Sequence, residues 1–289
     1  MAAEAGSLAP GAEPGVTIGV IGTGNMGSAL VRGWSRSPAP RARLLVWDKI
    51  PSAAQRVEGC EGVVIAGSPA QLVAEAEFVI VVVKPKDAEG LFRSIGPLLR
   101  EGQVVVSCMA GVELEQIRRI VGPLPALFRV MPNLGVEVGA GTVAVAAEAP
   151  EAGACSEVQQ RVVDLFAPLG LTVVVPESML DAVTAVSGTG PALLALALEG
   201  LEDGGVAAGL PRSVARAFAR RAMLGAARML VAGDEPAAEL RRRLVPPGDP
   251  LGEGVDVLEE RGVRLAFQQA VEAATQRARQ MRAPSGGAA

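Results

Sequence analysis

The chain reads as an α/β protein in which a mainly parallel, doubly wound sheet comes first and an all-α domain follows. Three observations predict this. Short apolar, β-branched runs alternate with helical stretches from Val16 to about Val175. The first run, Val16–Ile21, leads into glycines spaced G-x-G-x-x-G and then into a helix. After Pro176 the strand pattern stops and long helical stretches take over.

Val16–Ile21 suits a strand buried on both faces. Gly22 allows a tight turn out of that strand, Gly24 lets the backbone approach a pyrophosphate, and Gly27 lets the following helix, Ser28–Trp34, pack on the sheet. The free N–H groups of that helix's first turn suit phosphates. A strand before the glycines and a helix after them is the context of a Rossmann-type dinucleotide site. Gly22, Thr23, Gly24, Asn25, Met26 and Gly27 are therefore its first candidate residues.

Leu44–Trp47 is the second strand, and it ends in Asp48. A carboxylate at this strand tip, roughly 20 residues past the glycines, accepts hydrogen bonds from the adenosine ribose. It repels a 2′-phosphate, so the cofactor reading is NAD(P)H with a lean to NADH. Lys49 beside it partly offsets that lean. The plain alternative for Asp48 is a turn residue before Pro51.

Further along, Phe78–Val83 is a buried strand ending at Lys84-Pro85, and Leu91–Leu99 is a short helix. Val104–Ser107 is a strand, Gly111 turns the chain into the helix Glu113–Ile120, and Leu127–Val130 leads to Met131-Pro132-Asn133. Gly141–Ala146 and Leu171–Val175 are the last strands, with the helix Glu151–Phe166 between them. Ligands bind outside the carboxyl ends of such strands, where Lys84, Ser107 and Asn133 lie.

Beyond Pro176, Met179–Val186 reads as helix and is followed by S-G-T-G-P. Ala192–Glu202 is nearly apolar all round, and Arg212–Val231 and Val255–Met281 are long helices. A helix apolar on every face must be buried on every face. A helical domain of this size offers too little cover, so a partner chain is expected, with a single deep core helix as the alternative. The expected organisation is a disordered lead-in over 1–15, a dinucleotide-binding domain over 16–175, a helical domain over 176–284 and a loose tail over 285–289.

Composition narrows the function. With 289 residues the chain has ample length for a real core, and its net charge of −4 gives no basic surface for nucleic acid. No apolar run comes near the ~20 residues that span a bilayer. The first fifteen residues lack the basic start and apolar core of a signal peptide, so a soluble, cytoplasmic protein is expected. The chain has no His and no Tyr, and Cys60, Cys108 and Cys155 form no C-x-x-C pair. Histidine acid–base catalysis is excluded, and a zinc site and a disulfide framework are disfavoured. A proton donor must be water, Ser, Thr, Lys, Asp, Glu or a Cys thiol. Hydride transfer, in which the cofactor does the difficult chemistry, fits this inventory.

Several segments carry a family likeness: I-G-T-G-N-M-G, V-V-V-K-P, R-V-M-P-N, S-G-T-G-P-A, E-D-G-G-V-A-A-G-L-P-R, L-G-A-A-R-M-L, L-E-E-R-G-V-R and A-V-E-A-A-T-Q-R. In this order the chain resembles the pyrroline-5-carboxylate reductases, from about Val16 to Met281. The resemblance implies a Rossmann-type domain followed by an all-α dimerisation domain, and a homodimer or a larger homo-oligomer built from dimers. It implies reduction of a small cyclic imine, with pyrroline-5-carboxylate as the default substrate and NAD(P)H as hydride donor. It adds Val83, Lys84, Pro85, Ala110, Gly111, Met131 and Asn133 to the cofactor set. It makes Ser187 and Lys84 the catalytic candidates, and Ser187, Gly188, Thr189, Gly190 and Pro191 part of the substrate set. The bland readings are an N-cap for Ser187, a solvated strand end for Lys84 and a turn residue for Asn133.

Three segments depart from the family pattern. Leu134-Gly135 follows Asn133 where the family has Thr-Pro, and Arg221-Ala222 stands where it has Gln-Thr. The substrate loop S-P-G-G-T-T becomes Pro246-Pro247-Gly248-Asp249-Pro250-Leu251, so Gly248, Asp249 and Leu251 are the substrate candidates there. Pro250 has no N–H, Leu251 has no hydroxyl and Asp249 adds a negative charge, which leaves open a different cyclic imine as substrate. A catalytically silent nucleotide-binding homologue is the third reading.

Overall fold

The structure is a computed structural model that describes residues 15–37, 42–148, 157–246, 249 and 252–282. Eight strands form one sheet in the order β3-β2-β1-β4-β5-β6-β7-β8. They are β1 Thr17–Ile21, β2 Arg43–Trp47, β3 Val63–Ile65, β4 Phe78–Val81, β5 Val104–Ser107, β6 Ala126–Pro132, β7 Gly141–Ala147 and β8 Gly170–Val174. The first six run parallel. β7 is antiparallel to β6, and β8 is parallel to β7. Between β6 and β7 the chain has one 3-10 turn, Leu134–Val138, which is too short for the crossover a parallel neighbour needs.

Around the sheet lie α1 Asn25–Arg36, α2 Pro51–Ala54, α3 Pro69–Glu75, α4 Pro85–Ile95, α5 Leu114–Val121 and α6 Glu157–Phe166. Leu30, Val31, Val162 and Phe166 cover one face with Ile18 and Val20. Leu72, Phe92 and Ile117 cover the other with Val79 and Val105. Helices on both faces make this the doubly wound sheet that the alternating runs predict. α7 Leu180–Val183 continues into a π-helical turn, Thr184–Gly188. The helices α8 Gly190–Ala207, α9 Arg212–Ala232, α10 Ala237–Leu244, α11 Gly252–Glu260 and α12 Val263–Arg282 follow.

Several elements differ from the sequence reading. Strand β3 and helices α2, α3 and α10 carry no long periodic signal, yet all form. α3 is started by Ser68, whose hydroxyl accepts from the Gln71 N–H at 3.1 Å, with Pro69 at the first helical position. Lys84 and Pro85 begin α4, so the strand Phe78–Val83 ends two residues early, at Val81, and its helix starts well before Leu91. The helix Val255–Met281 is two helices, because Gly262 at φ +68° interrupts it. Residues 1–14 of the lead-in, the tail, Cys155 and the start of the helix Glu151–Phe166 lie outside the described residues.

By compactness the chain divides into two units, one running to Gly188 with the end of α12 added, the other being Thr189–Ala273. In the second unit only Ala215, Ala219 and Leu240 are buried among the described residues. No residue of α8 is buried, and Leu194, Leu196 and Leu201 are more than half exposed. α8 packs on α9 through small residues, Gly205 against Ala215, and through the ion pair of Glu202 with Arg216 at 3.0 Å. The helical run Glu177–Ala207 is 31 residues long with a mean hydropathy of 1.4 in its most apolar stretch. By length and composition alone it could cross a membrane.

Candidate active site

The parallel order of β1, β2, β4, β5 and β6 brings the segments after them to one edge of the sheet. Those segments are Gly22–Gly27, Asp48-Lys49, Val83–Pro85, Ala110-Gly111 and Asn133. All of these residues come from the sequence reading, and topology alone collects them.

The glycine loop is held from within. Gly22 sits at φ +99°, and its N–H donates to the Trp47 carbonyl at 2.8 Å. A Cβ on Gly27 would lie 1.9 Å from the Gly22 carbonyl oxygen, so the helix approaches the turn too closely for any side chain. Gly24 is different. Its φ is −62°, a Cβ there would meet nothing within 4 Å, and no side chain caps α1. Gly24 and Asn25 are exposed while Gly22, Thr23 and Gly27 are buried. An uncapped helix N-terminus opening on free space at a glycine is a cradle for an anion. The residues present fit a pyrophosphate.

The Asp48 carboxylate is engaged within the chain. Its Oδ2 accepts from the Thr23 N–H at 2.7 Å and from the Thr23 hydroxyl at 3.3 Å, and its Oδ1 accepts from the Ile50 N–H at 2.9 Å. The carboxylate thus clamps β2 to the glycine loop, and Thr23 turns its N–H to Asp48. Ser28, inside α1, adds a second clamp by donating to the Thr23 carbonyl at 2.7 Å. Lys49 points away to Asp87 in α4, Nζ to Oδ1 at 2.8 Å.

Asn133 is nearly buried, and its amide serves the chain. Oδ1 accepts from the Gly135 and Thr142 N–H groups at 3.1 Å each, and Nδ2 donates to the Ser187 carbonyl at 3.0 Å. The π-helical turn carrying Ser187 is thereby fixed to the end of β6. The Ser187 hydroxyl is enclosed and has no hydrogen-bond partner among the described residues. Met131 is buried within β6, and Lys84 is exposed as the N-cap residue of α4. Gly188 ends the π turn. Thr189 is the N-cap residue of α8, with Gly190 and Pro191 in its first turn. Gly248 and Leu251 lie outside the described residues.

Sequence reasoning missed a second buried network. Arg129, fully enclosed in β6, pairs with Glu177 at 3.1 Å, and the same carboxylate oxygen accepts the Leu114 N–H at the start of α5 at 3.0 Å. A lone arginine in the apolar run L-F-R-V-M was its signal. Ser107 pairs in register with Arg129, and its hydroxyl is buried without a partner among the described residues. Burial pushes the Cys108 thiol up to about 12, which removes it from the possible proton donors near neutral pH.

Comparisons with known proteins agree with this architecture. A family model described as pyrroline-5-carboxylate reductase dimerisation matches residues 177–281, and one described as NADP oxidoreductase, coenzyme F420-dependent, matches residues 17–111. The pyrroline-5-carboxylate reductase of Pisum sativum is 33% identical over 267 residues, covering 92% of this chain and 96% of the relative. The enzyme of Mycobacterium leprae is 34% identical over 293 residues, covering 93% and 97%. The chain belongs to the pyrroline-5-carboxylate reductase family.

Its fold is that of the family. The Coxiella burnetii pyrroline-5-carboxylate reductase superimposes with a TM-score of 0.82 at 27% identity, covering 92% of this chain and 98% of the other. The pyrroline carboxylate reductase of Plasmodium falciparum, solved with NADP bound, gives 0.80 at 26% identity, covering 93% and 98%. The chain is an oxidoreductase with a pyridine nucleotide as its cofactor class, and its helical half is a dimerisation domain.

Proposed function

We propose that the chain reduces 1-pyrroline-5-carboxylate to L-proline, with NAD(P)H as hydride donor. The observation that carries the cofactor half of this reading is the uncapped, open N-terminus of α1 at Gly24, with the Asp48 carboxylate fixed at the neighbouring strand end. The first-turn N–H groups of Asn25, Met26 and Gly27 receive the pyrophosphate. Asp48 faces the ribose hydroxyls with its remaining lone pairs. Val83–Pro85, Ala110, Gly111 and Met131 line the rest of that edge. When bound, the nucleotide supplies a hydride to the C=N carbon.

The chain's own part is to bind, orient and keep water out. The Ser187 hydroxyl, enclosed and unpartnered among the described residues, is a hydrogen-bond group in want of a ligand. It is assigned to the imine ring. Asn133 acts through Ser187 as a positioning residue. Lys84 supplies positive charge at the strand end. Gly188, Thr189, Gly190 and Pro191 lead into α8 and are assigned to the substrate beside Ser187. The ring nitrogen takes its proton from solvent or enters already as the iminium; the chain has no histidine, and the Cys108 thiol is too weak an acid to serve. Orientation of this kind supplies ~7–11 kcal/mol in well-held pairs.

The same reading includes a homodimer, a cytoplasmic site of action and a lean to NADH from the carboxylate of Asp48. Its test is the oxidation of NADH and NADPH by the purified protein with pyrroline-5-carboxylate. Turnover with proline as product is expected, NADH is the better donor, and Asp48→Ser narrows the gap. Nucleotide binding without imine reduction would favour the silent homologue.

A further inference from the structure

The ion pair of Lys49 with Asp87 spans the strand that carries the glycine loop. Lys49 follows β2, Asp87 lies in the first turn of α4 after β4, and β1 lies between those two strands. The side chains meet at 2.8 Å at the carboxyl edge of the sheet. Lys49 is the residue after Asp48, so it is the cation at the strand end where ribose recognition takes place. A 2′-hydroxyl there needs an acceptor, whereas a 2′-phosphate needs a cation.

Neither neighbouring group is idle. The Asp48 carboxylate is fixed by Thr23 and Ile50. The Asp87 carboxyl is held below the usual carboxylate range, first by its hydrogen bond from Lys49 and then by the charges of Lys49, Lys86 and Lys84. It is therefore ionised at neutral pH. Lys49 is flanked by two carboxylates and bound to one of them.

We infer that Asp87 is a specificity-determining residue for the cofactor: by holding Lys49 it withholds the cation that a 2′-phosphate requires, and so tilts the site toward NADH. The inference rests on the dinucleotide reading given under Proposed function. It also divides the discrimination between two carboxylates. Asp48 meets the ribose, and Asp87, some forty residues on in α4, keeps the neighbouring lysine occupied.

Direct binding tests it. Titration calorimetry of the full chain with NAD+ and with NADP+ gives the ratio of the two dissociation constants for the wild type, Asp87→Asn, Lys49→Ala and the double variant. Asp87→Asn is expected to shift the ratio about twofold to fivefold toward NADP+, the range of an exposed ion pair released to a new partner. The double variant is expected to lose most of that gain. An unmoved ratio in Asp87→Asn overturns the inference. So does a full gain retained in the double variant, which would assign the effect to the lost charge or to Lys84 and Lys86. Asp87 donates its backbone N–H to the Lys84 carbonyl whatever its side chain, so the fold is expected to tolerate the change. Should Asp87→Asn melt early, Asp87→Ser serves in its place. A wild type that binds neither nucleotide defeats the dinucleotide reading and the inference with it. Binding of both with a fixed ratio defeats the inference alone.

Discussion

The Asn133 amide donates to the Ser187 carbonyl at 3.0 Å and ties the π-helical turn to the end of β6. Its carbonyl oxygen also holds the Gly135 and Thr142 N–H groups, so one side chain joins three segments. A π turn is an uncommon conformation, and a side-chain bond to its carbonyl fixes where the following hydroxyl stands.

Asn133→Ala leaves two N–H groups and a carbonyl without their partner. It is expected to cost about 1–3 kcal/mol of stability. If Ser187 is positioned through Asn133, kcat falls as well, while the affinity for nucleotide stays near that of the wild type. Thermal denaturation, steady-state kinetics and a binding titration check this. An unchanged kcat in a folded variant removes Asn133 from the positioning role.

The glycines of the loop separate folding from binding. Gly24→Ala adds a methyl where nothing lies within 4 Å, at a φ of −62° that alanine adopts freely. It is expected to leave the melting temperature unchanged and to weaken both nucleotides at least tenfold, because the methyl occupies the space of the phosphates. Gly27→Ala puts its methyl 1.9 Å from the Gly22 carbonyl oxygen. It is expected to destabilise the fold by several kcal/mol, at the upper end of overpacking costs of about 1–3 kcal/mol or beyond. Equal effects of the two substitutions on stability would show that Gly24 is also structural.

Most of the strands, the glycine loop and the sheet edge were legible because each has a strong local signal. β-branched runs mark the strands, and glycine spacing marks the turn. Partner choice was not legible. That Asp48 clamps Thr23, that Lys49 turns to Asp87 and that Asn133 reaches Ser187 all depend on which strand neighbours which. The π turn has no sequence signature, since Thr184–Gly188 reads as ordinary helix followed by a turn. Arg129 and Glu177 lie 48 residues apart, and no periodicity joins them.

Helix α8 exposes Leu194, Leu196 and Leu201 in the single chain, and its unit buries few residues of its own. Exposed apolar area of this extent marks an interaction surface, and the domain matches a dimerisation domain. Leu196→Arg, at a residue 66% exposed within the chain, is therefore expected to leave the monomer folded and to break the dimer. Sedimentation of the wild type and the variant decides it. A wild type that sediments as a monomer, or a variant that remains a dimer, removes α8 from the interface.

The substrate loop is where this chain differs most from its family, and the surroundings of Asp249 sharpen the question. Asp249 lies on the wall of a cleft of about 570 Å³ with Arg241, Arg242, Glu253, Asp256 and Glu259. Arg241 pairs with Glu259, Arg242 with Glu239 at 2.9 Å, and Arg243 with Glu235. Four carboxylates and two arginines line this cleft. A substrate carboxylate entering this cleft meets net negative charge. At an effective dielectric of 20, like charges ~4 Å apart repel by about 4 kcal/mol, and solvent screening in an open cleft lowers this toward about 1 kcal/mol. Asp249→Gly is therefore expected to raise kcat/KM for pyrroline-5-carboxylate by about fivefold or more. Turnover of 1-pyrroline, which has the ring without the carboxylate, is expected to change little. The ratio of the two is the measurement, because a general effect on loop structure moves both substrates together. A ratio that stays constant would place Asp249 away from the substrate carboxylate and leave the loop's change of sequence without effect on the reaction.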